Sequence, residues 1–281
     1  METCRTSAAL RSHIAALRSR GLSVGFVPTM GYLHAGHMEL VERAARETDR
    51  VVVSIFVNPT QFGDPRDLDL YPRDTDHDLA MLRAAGVAAV FLPEVAEIYP
   101  AGAETFVETT RLANMLHGAV RPGHFRGVAT VVTKLFNIVQ PDLACFGEKD
   151  YQQLQVIRTM VRDLHVPVRI LGCPTVREPD GLAMSSRNVR LSPEDRQAAL
   201  VLNRALGRAE ALVAGGTTVE ALAAAVAETI AAEPRATLRA VDVTEAETLA
   251  PVSGPVTGRL ALMISAEFGG ILLIDQREVQ P

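Results

Sequence analysis

Apolar runs and amphipathic stretches alternate through the first 175 residues of the chain. The runs are continuous and rich in β-branched residues, which is typical of parallel strands that are buried on both faces. Strands are predicted at 23–29, 50–58, 87–93, 143–147 and 168–176. Helices are predicted between them, at 35–47, 74–85, 125–139 and 150–164, the last with Asp150 as its N-cap. This alternation predicts a Rossmann-like, doubly wound α/β sheet with right-handed crossovers.

The first twenty residues form an amphipathic segment with Leu10, Ile14 and Leu17 on one stripe. Their content of Arg and Ser is also typical of a transit peptide. Because the apolar stripe has the helical period, we favour a first helix of the fold, in a cytoplasmic protein.

The pattern changes after residue 177. Residues 177–196 are polar and contain many turn-forming residues, as in a loop or hinge. Two Ala-rich helices are expected next, at 192–214 and 217–232. Several short strands are expected after them, within 237–249 and 258–279. We therefore predict two domains, a Rossmann-like one at 1–177 and a smaller α+β one at 178–281.

Composition argues against several classes of protein. The net charge of −5 does not suit a protein devoted to nucleic acid or to an anionic membrane surface. No apolar run approaches the roughly 20 residues that span a bilayer. Cys4, Cys145 and Cys173 lie far apart and form no CxxC pair, so neither a disulfide framework nor a cysteine metal cluster is predicted. The last two lie in apolar runs and are expected to behave as small buried hydrophobic residues.

Polar sequences follow four of the predicted strands. In doubly wound sheets, ligands bind beyond the carboxyl ends of the strands, where the crossover direction reverses. The four sequences are PTMGYLHAGH (28–37), NPTQFG (58–63), FGEKDYQQ (146–153) and TVREPDGLAMSSRN (175–188). They are therefore the candidates for a ligand site.

The first of these sequences places His34 and His37 three residues apart at the start of a predicted helix. A helix start has unpaired N–H groups and a partial positive charge, so it attracts phosphate, and Gly31 and Gly36 allow close approach. The two imidazoles lie on one face, where they could donate hydrogen bonds to an oxyanion during phosphoryl transfer. Two alternatives stay open: partly exposed polar caps, or metal ligands. A zinc site, however, needs a third ligand, and no HExxH-type spacing is present.

Two further segments carry cationic groups. Lys149, within GEKD at 147–150, offers a mobile charge for phosphate, or else is solvated in a turn that Asp150 caps. MSSRN at 184–188 has two hydroxyls and a guanidinium. This segment could close over a triphosphate as a lid does, or it is an ordinary interdomain linker.

Gln61 and Gln153 supply uncharged amides, which can hold the carboxylate or hydroxyl groups of a small substrate. Exposed loop glutamines often have no function, so each is a weak candidate alone. Motifs of other enzymes are absent from the sequence: GxxxxGK[ST] of P-loop enzymes, GxGxxG after the first strand, and GxSxG of hydrolases.

In this order, the motifs resemble those of the pantoate–β-alanine ligase (pantothenate synthetase) family, within the HIGH-motif nucleotidyltransferase superfamily. The resemblance extends over more than half of the chain, from FVPTMG to MSSRN through SIFVNPTQFG, YPRD, GHFRGVATVVTKLFNIVQPD and CFGEKDYQQL. It implies that residues 1–177 bind nucleotide and pantoate, and that residues 178–281 form a lid domain. It also implies a cytoplasmic homodimer with no nucleic-acid or membrane partner.

The resemblance implies a role for each motif residue. ATP would be contacted by Met30, Gly31, Tyr32, Leu33, His34, Ala35, Gly36, His37, Gly147, Glu148, Lys149, Asp150, Val176, Met184, Ser185, Ser186 and Arg187. The implied catalytic residues are His34, His37, Lys149 and Arg187, with His37 in the role usually called proton donor. Pantoate would contact Gln61 and Gln153, and β-alanine would contact Gln61. Further pocket residues would be Asn58, Tyr71 and Arg121, and no protein ligand to a metal is implied.

The implied reaction has two steps. Pantoate attacks the α-phosphorus of MgATP to give pantoyl adenylate and pyrophosphate, and the amine of β-alanine then displaces AMP. ATP is thus a substrate and Mg²⁺ a cofactor. Two alternatives are a nucleotidylyltransferase with a phosphate-bearing acceptor and a non-catalytic nucleotide-binding protein. The first would need Arg or Lys at 58–63 and 150–155, where the residues are largely amides and aromatics.

Overall fold

The computed structural model describes residues 1–63 and 65–281 of the chain. These residues form two compact units. The first unit comprises Met1–Gly147 and Gln152–Cys173, and the second comprises Glu148–Tyr151 and Pro174–Pro281. The domain boundary at residue 177 and the lid role of residues 178–281 stay predictions.

A six-stranded parallel sheet forms the centre of the first unit. Its strands are β1 (Glu2–Cys4), β2 (Val24–Thr29), β3 (Arg50–Ile55), β4 (Ala89–Phe91), β5 (Leu143–Gly147) and β6 (Arg169–Cys173), in the order β1-β4-β3-β2-β5-β6. The helices before β6 are α1 (Ser7–Arg18), α2 (Ala35–Glu47), α3 (Pro65–Asp69), α4 (Thr75–Ala84), α5 (Val95–Ile98), α6 (His117–Val120), α7 (His124–Val139) and α8 (Tyr151–Asp163). The predicted doubly wound parallel sheet is confirmed.

The N-terminal segment begins with a strand that the sequence pattern does not predict. The expectation of one helix over the first twenty residues is wrong for Glu2–Cys4, which pair in parallel with β4. Thr6 has an extended backbone, and its side chain accepts the N–H of Ala9, so α1 begins only at Ser7. The apolar stripe of α1 is buried, as predicted.

Several other differences from the predicted elements before β6 occur at turns. The predicted strand at 50–58 ends at Ile55, because Asn58 caps a 3-10 turn at Pro59–Gln61. Asp150 directly precedes α8, at the end of a 3-10 turn, Glu148–Asp150, that leads into the helix, and its capping role stays a prediction. The short helices α3, α5 and α6 lie outside the predicted elements, since one or two turns show no clear apolar period.

The second unit contains an antiparallel sheet and three longer helical segments that follow residue 192. They are α9 (Pro193–Ala199), α10 (Val201–Ala214), α11 (Val219–Ala231), β7 (Ala236–Glu245), β8 (Leu260–Phe268) and β9 (Ile271–Val279). The predicted helix at 192–214 is interrupted at Leu200, whose N–H donates to Gln197 O in a tighter turn. Gly269 and Gly270 both have positive φ and join β8 to β9 in a two-residue turn. The predicted α+β character is confirmed.

The buried thiols and the helix lengths bear on the expectations from composition. Cys145 and Cys173 are fully buried and form no disulfide, as predicted. A hydrogen bond with Cys173, together with burial, raises the pKa of the Cys145 thiol far above its usual range, so this thiol stays neutral. In the described part of the chain, no helix combines the length and the apolar character needed to cross a bilayer.

The strand order reverses the crossover direction beside β2. From β2 the chain adds β3 and β4 on one side, and it later adds β5 and β6 on the other. Thr29 ends β2 and Gly147 ends β5, so these two carboxyl ends lie at the same edge of the sheet. Ligands of doubly wound sheets bind at such an edge, and the turn that leads into α2 leaves the sheet there.

Candidate active site

The turn between β2 and α2 has a backbone shape that few sequences allow. Gly31 has φ +83°, and Tyr32 has φ +53°, which is in the left-handed region. A Cβ on Gly31 would also lie 3.0 Å from Asp78 Oδ2, so glycine is needed for space as well as for conformation. Thr29 anchors the turn, since its Oγ1 donates to Ser54 O at 2.8 Å and accepts the N–H of Gly31 at 3.2 Å.

A buried carboxylate absent from the predicted site holds this turn. Asp78 on α4 is 1% exposed. Its Oδ2 accepts the N–H of Tyr32 at 2.8 Å, and its Oδ1 accepts the N–H of Leu33 at 2.7 Å. Hydrogen bonds to a carboxylate are stronger than neutral ones, so this pair fixes the left-handed turn. The signal in the sequence is a carboxylate four residues before the buried Leu82, on the core-facing side of a predicted helix.

His34 and His37 are held by the start of α2, with their ring centres 4.1 Å apart. His34 is the N-cap, and its Nδ1 accepts the N–H of Gly36 at 3.1 Å, while Nδ1 of His37 accepts the N–H of His34 at 3.3 Å. Because Nδ1 is an acceptor in each ring, a neutral ring carries its proton on Nε2. The capping and phosphate interpretations are therefore compatible, since a ring can cap through Nδ1 and donate to phosphate through Nε2.

Asn58 and Gln61 form the centre of an amide network in the first unit. Asn58 is buried, and its Nδ2 donates to Gln61 Oε1 at 2.9 Å and to Gly127 O at 3.2 Å. Nε2 of Gln61 lies 3.3 Å from Met30 Sδ. The structure therefore brings Gln61, a predicted substrate residue, into contact with Met30 of the turn that is predicted to bind nucleotide, and Asn58 holds the Gln61 amide.

Further residues that the sequence interpretation missed support this network: Tyr99, His124 and Gly127. Tyr99 OH donates to Asn58 Oδ1 at 2.8 Å, and burial raises the pKa of Tyr99, which keeps the donor proton in place. His124 Nδ1 donates to Gln61 O at 2.8 Å, and the predicted pocket residue Arg121 lies 3.4 Å from His124 Nε2. The bonded residues are 41 and 63 positions apart in sequence, so no local motif reveals them.

Gly127 lets α7 approach the turn that carries Gln61. A Cβ on Gly127 would lie 2.5 Å from Thr60 O and 2.9 Å from Gln61 N. Both of these are backbone atoms, which cannot rotate aside as a side chain can. A glycine at this position therefore allows the backbone of Gln61 to lie close to α7.

Tyr71 and Gln153 are the remaining predicted pocket residues. The ring of Tyr71 packs edge-to-face on Phe62, with the ring centres 5.9 Å apart. Gln153 is half-buried in the first turn of α8. Its neighbour Gln152 is buried and donates to Leu112 O at 2.9 Å, so the turn that carries Gln153 is fixed in place.

The second unit brings the predicted cationic and hydroxyl residues to one cavity. Lys149, Ser185 and Arg187 line this cavity together with Asp275 of β9. The side chain of Lys149 is 17% exposed, and its Nζ lies 3.7 Å from Asp150 Oδ2, which does not fit the alternative of a fully solvated lysine. Ser185 Oγ accepts the N–H of Arg187 at 3.2 Å, so the segment between them has a defined turn.

The other residues that are predicted to contact ATP differ in packing and exposure. A Cβ on Gly147 would meet no atom within 4 Å, so there is open space beside this residue. Leu33 packs its side chain into the core and donates its N–H to Asp78 Oδ1, so neither group is available to a ligand. Val176 O accepts the N–H of Met184 at 3.0 Å, and Ser186 is half-buried.

Comparisons with known proteins agree over the full length of the chain. A family profile described as "Pantoate-beta-alanine ligase" matches residues 2–278. The pantothenate synthetase of Rhizobium meliloti (strain 1021) is 54% identical over 282 residues, which cover 100% of this chain and 97% of that protein. The pantothenate synthetase of Moorella thermoacetica is 51% identical over 276 residues, which cover 98% of this chain and 97% of that protein.

Solved structures of the same kind of protein have the same fold. The crystal structure of pantothenate synthetase from Thermus thermophilus matches with a TM-score of 0.94 at 51% identity, and the match covers 100% of both chains. The pantoate-beta-alanine ligase of Francisella tularensis, crystallised with beta-gamma ATP and beta-alanine, matches with a TM-score of 0.80 at 34% identity. That match covers 99% of this chain and 97% of the other.

Replacing Asp78 with Asn should loosen the turn that carries the two histidines. The amide offers one acceptor oxygen where the carboxylate offers two, so one backbone N–H would face an NH₂ donor. We expect the free energy of unfolding to fall by about 1–3 kcal/mol, and the affinity for ATP to fall with it. Urea unfolding and calorimetric titration with ATP measure the two quantities.

The matched control is Asp76→Asn, because Asp76 is exposed and lies in the same first turn of α4. Equal stability and equal ATP affinity in the Asp78 and Asp76 variants would contradict the role given to Asp78.

Proposed function

The chain belongs to the pantoate–β-alanine ligase family, and from this premise we propose that it joins (R)-pantoate to β-alanine at the switch point of its parallel sheet. A ligase of this family uses ATP, forms a C–N amide bond and releases AMP and pyrophosphate. The product, pantothenate (vitamin B5), belongs to coenzyme A biosynthesis. One observation carries the proposal: the turn at residues 30–37 leaves the sheet at the switch point and places two imidazoles at a helix start.

In the first step, a carboxylate oxygen of pantoate attacks the α-phosphorus of ATP, and the bond from that phosphorus to pyrophosphate breaks. Both reactants are anions, so groups that stabilise negative charge dominate this step. We assign the phosphate oxygens to the start of α2, where the positive end of the helix dipole attracts anions and Nε2 of His34 and His37 are the donors. The same chemistry is assigned to Lys149 and Arg187 of the second unit, on the basis of the cavity that they line.

In the second step, the amine of β-alanine attacks the acyl carbon of pantoyl adenylate, the bond from that carbon to AMP breaks, and the amine loses a proton. Adenylation makes this possible because it turns a poor leaving oxygen into a good one. We propose that Gln61 and Gln153 hold pantoate and that Gln61 also contacts β-alanine. Asn58 supports this role, since its bond to Gln61 Oε1 orients the amide. Neutral amides bind carboxylate and hydroxyl groups without an ion pair that must be desolvated.

We propose that Mg²⁺ enters with ATP. In sites that handle nucleotide phosphates, Mg²⁺ is held by phosphate oxygens, by water and by only one or two carboxylates. Within residues 1–63 and 65–281, no group of three or more His, Cys, Asp and Glu side chains could hold a metal ion. Bound mainly through the triphosphate, the ion would partly neutralise its charge.

We also propose that the enzyme is a cytoplasmic homodimer, as the resemblance of its motifs implies. Light scattering of the purified protein should give twice the chain mass of 30.3 kDa. A single chain mass at micromolar concentration would reject the dimer.

Isotope exchange tests the proposed reaction. ATP should exchange label with pyrophosphate when pantoate is added, because the first step is then reversible, and it should not do so with β-alanine alone. Exchange in the absence of an acid, or equal exchange with acids unrelated to pantoate, would reject the proposed specificity. ATP binding without exchange or AMP release would favour the non-catalytic alternative.

Variants of His37 test the assignment of the turn. His37→Ala should lower kcat by about 10²-fold or more, the scale of losing one donor to a transition-state oxyanion. His37→Asn separates the two functions of the ring, because Asn can keep an acceptor for the N–H of His34 but has no donor at the position of Nε2. We expect His37→Asn to keep the melting temperature of the wild type and to lose activity as Ala does.

The control for these variants is His77→Ala, an exposed residue of α4. Steady-state kinetics and thermal unfolding are measured on all three. Near-normal kcat in His37→Asn would refute the donor role.

A further inference from the structure

The segment that carries Met184–Arg187 leaves a hairpin that is closed at its base. Arg177 and Ala183 form an antiparallel bridge. Within it, the N–H of Glu178 donates to Leu182 O at 2.8 Å. These bonds define the hairpin itself, but they do not decide where it stands on the rest of the second unit.

Arg177 fixes the hairpin to β9 through a two-pronged ion pair with Asp275. Nη1 of Arg177 donates to Oδ2 at 2.7 Å, and Nη2 donates to Oδ1 at 2.9 Å. The side chain of Asp275 is 1% exposed, and its Oδ1 also accepts the N–H of Gln276 at 2.8 Å. Nη1 of Arg177 donates in addition to Gly181 O at 3.1 Å. One guanidinium therefore joins the strand to both the base and the tip of the hairpin.

Asp275 also lines the cavity that Lys149, Ser185 and Arg187 share. An uncompensated carboxylate in the wall of a phosphate-binding cavity would repel phosphate, but both oxygens of Asp275 accept hydrogen bonds from Arg177. Replacing a buried ion pair with apolar side chains is often neutral or stabilising. Stability alone therefore does not explain why a charged pair stands at this cavity.

We infer that Arg177 and Asp275 are positioning residues for the step that cleaves ATP. Their ion pair holds the hairpin on β9, so that Ser185 and Arg187 face the cavity that they share with Lys149. This inference rests on the proposed function, in which Lys149 and Arg187 contact the triphosphate. The pair should therefore matter while the triphosphate is bound and cleaved, and not when β-alanine reacts with pantoyl adenylate.

Arg177→Lys tests the inference, because Lys keeps the charge but cannot span both oxygens of Asp275 and reach Gly181 O as well. We expect the KM for ATP, measured by pantoate-dependent pyrophosphate exchange, to rise about tenfold or more, the scale of one lost hydrogen bond between charged groups. The rate of amide formation from synthetic pantoyl adenylate and β-alanine should equal that of the wild type.

Arg208→Lys is the matched control within the second unit. The Arg208 guanidinium also donates to a carboxylate, Glu228, and to a backbone oxygen, Ala225 O, but its side chain is 49% exposed and lies outside the cavity lining. Wild-type values are expected for this variant in both assays.

A wild-type KM for ATP in Arg177→Lys would overturn the inference. Equal losses in exchange and in amide formation would also overturn it, since they would show a general structural role. Should circular dichroism show that Arg177→Lys does not fold, Asp275→Asn is judged by the same two assays, and failure of both variants to fold would overturn the inference in favour of a structural role. The absence of pantoate-dependent exchange in the wild type is a different outcome, because it rejects the proposed function itself.

Discussion

Two hydrogen bonds from backbone N–H groups to the buried carboxylate of Asp78 hold the turn on which the site depends. Tyr32 stands in the left-handed region, which costs a residue other than glycine on the order of 1–3 kcal/mol. Charged hydrogen bonds inside the protein offset that cost. Because the turn is held, α2 begins at a fixed place, and the rings of His34 and His37 keep one orientation. Donors that are already in place need no reorganisation when charge develops on a phosphate.

The phosphates of ATP and the carboxylate of the acid need different kinds of protein group around them. The phosphates carry several negative charges, and the residues assigned to them are a helix start, two imidazoles, Lys149 and Arg187. The acid must keep its negative charge available, because that charge attacks phosphorus. A cation bound to it would stabilise the reactant and weaken the nucleophile. The neutral network of Asn58, Gln61 and Tyr99 can hold such a substrate without opposing its chemistry.

Elements that bury a continuous or periodic apolar surface can be predicted from the sequence. The strands β2, β3 and β5 and the helix α2 lie within a few residues of the predicted ranges for this reason. The strand β1 has only one buried residue, Cys4, and therefore shows no apolar run, so only its pairing with β4 makes it a strand. The motifs are visible in the sequence as well, but their composition and spacing lead only to the prediction of an α/β protein that handles phosphates. The identity of the acid and the amine comes from the resemblance to a family.

The supports of the site are much harder to predict, because they are tertiary contacts between distant segments. Asp78 and Tyr32 are 46 positions apart, and Arg177 and Asp275 are 98 positions apart. No local spacing connects such residues, although a carboxylate on the buried face of a helix is a visible anomaly. A crystal structure of the protein with ATP and pantoate bound tests the central claim most directly. We predict that phosphate oxygens lie about 2.7–3.2 Å from Nε2 of His34 and His37, with pantoate beside Gln61. A nucleotide bound elsewhere, with residues 30–37 in contact only with protein or a metal ion, would contradict this account.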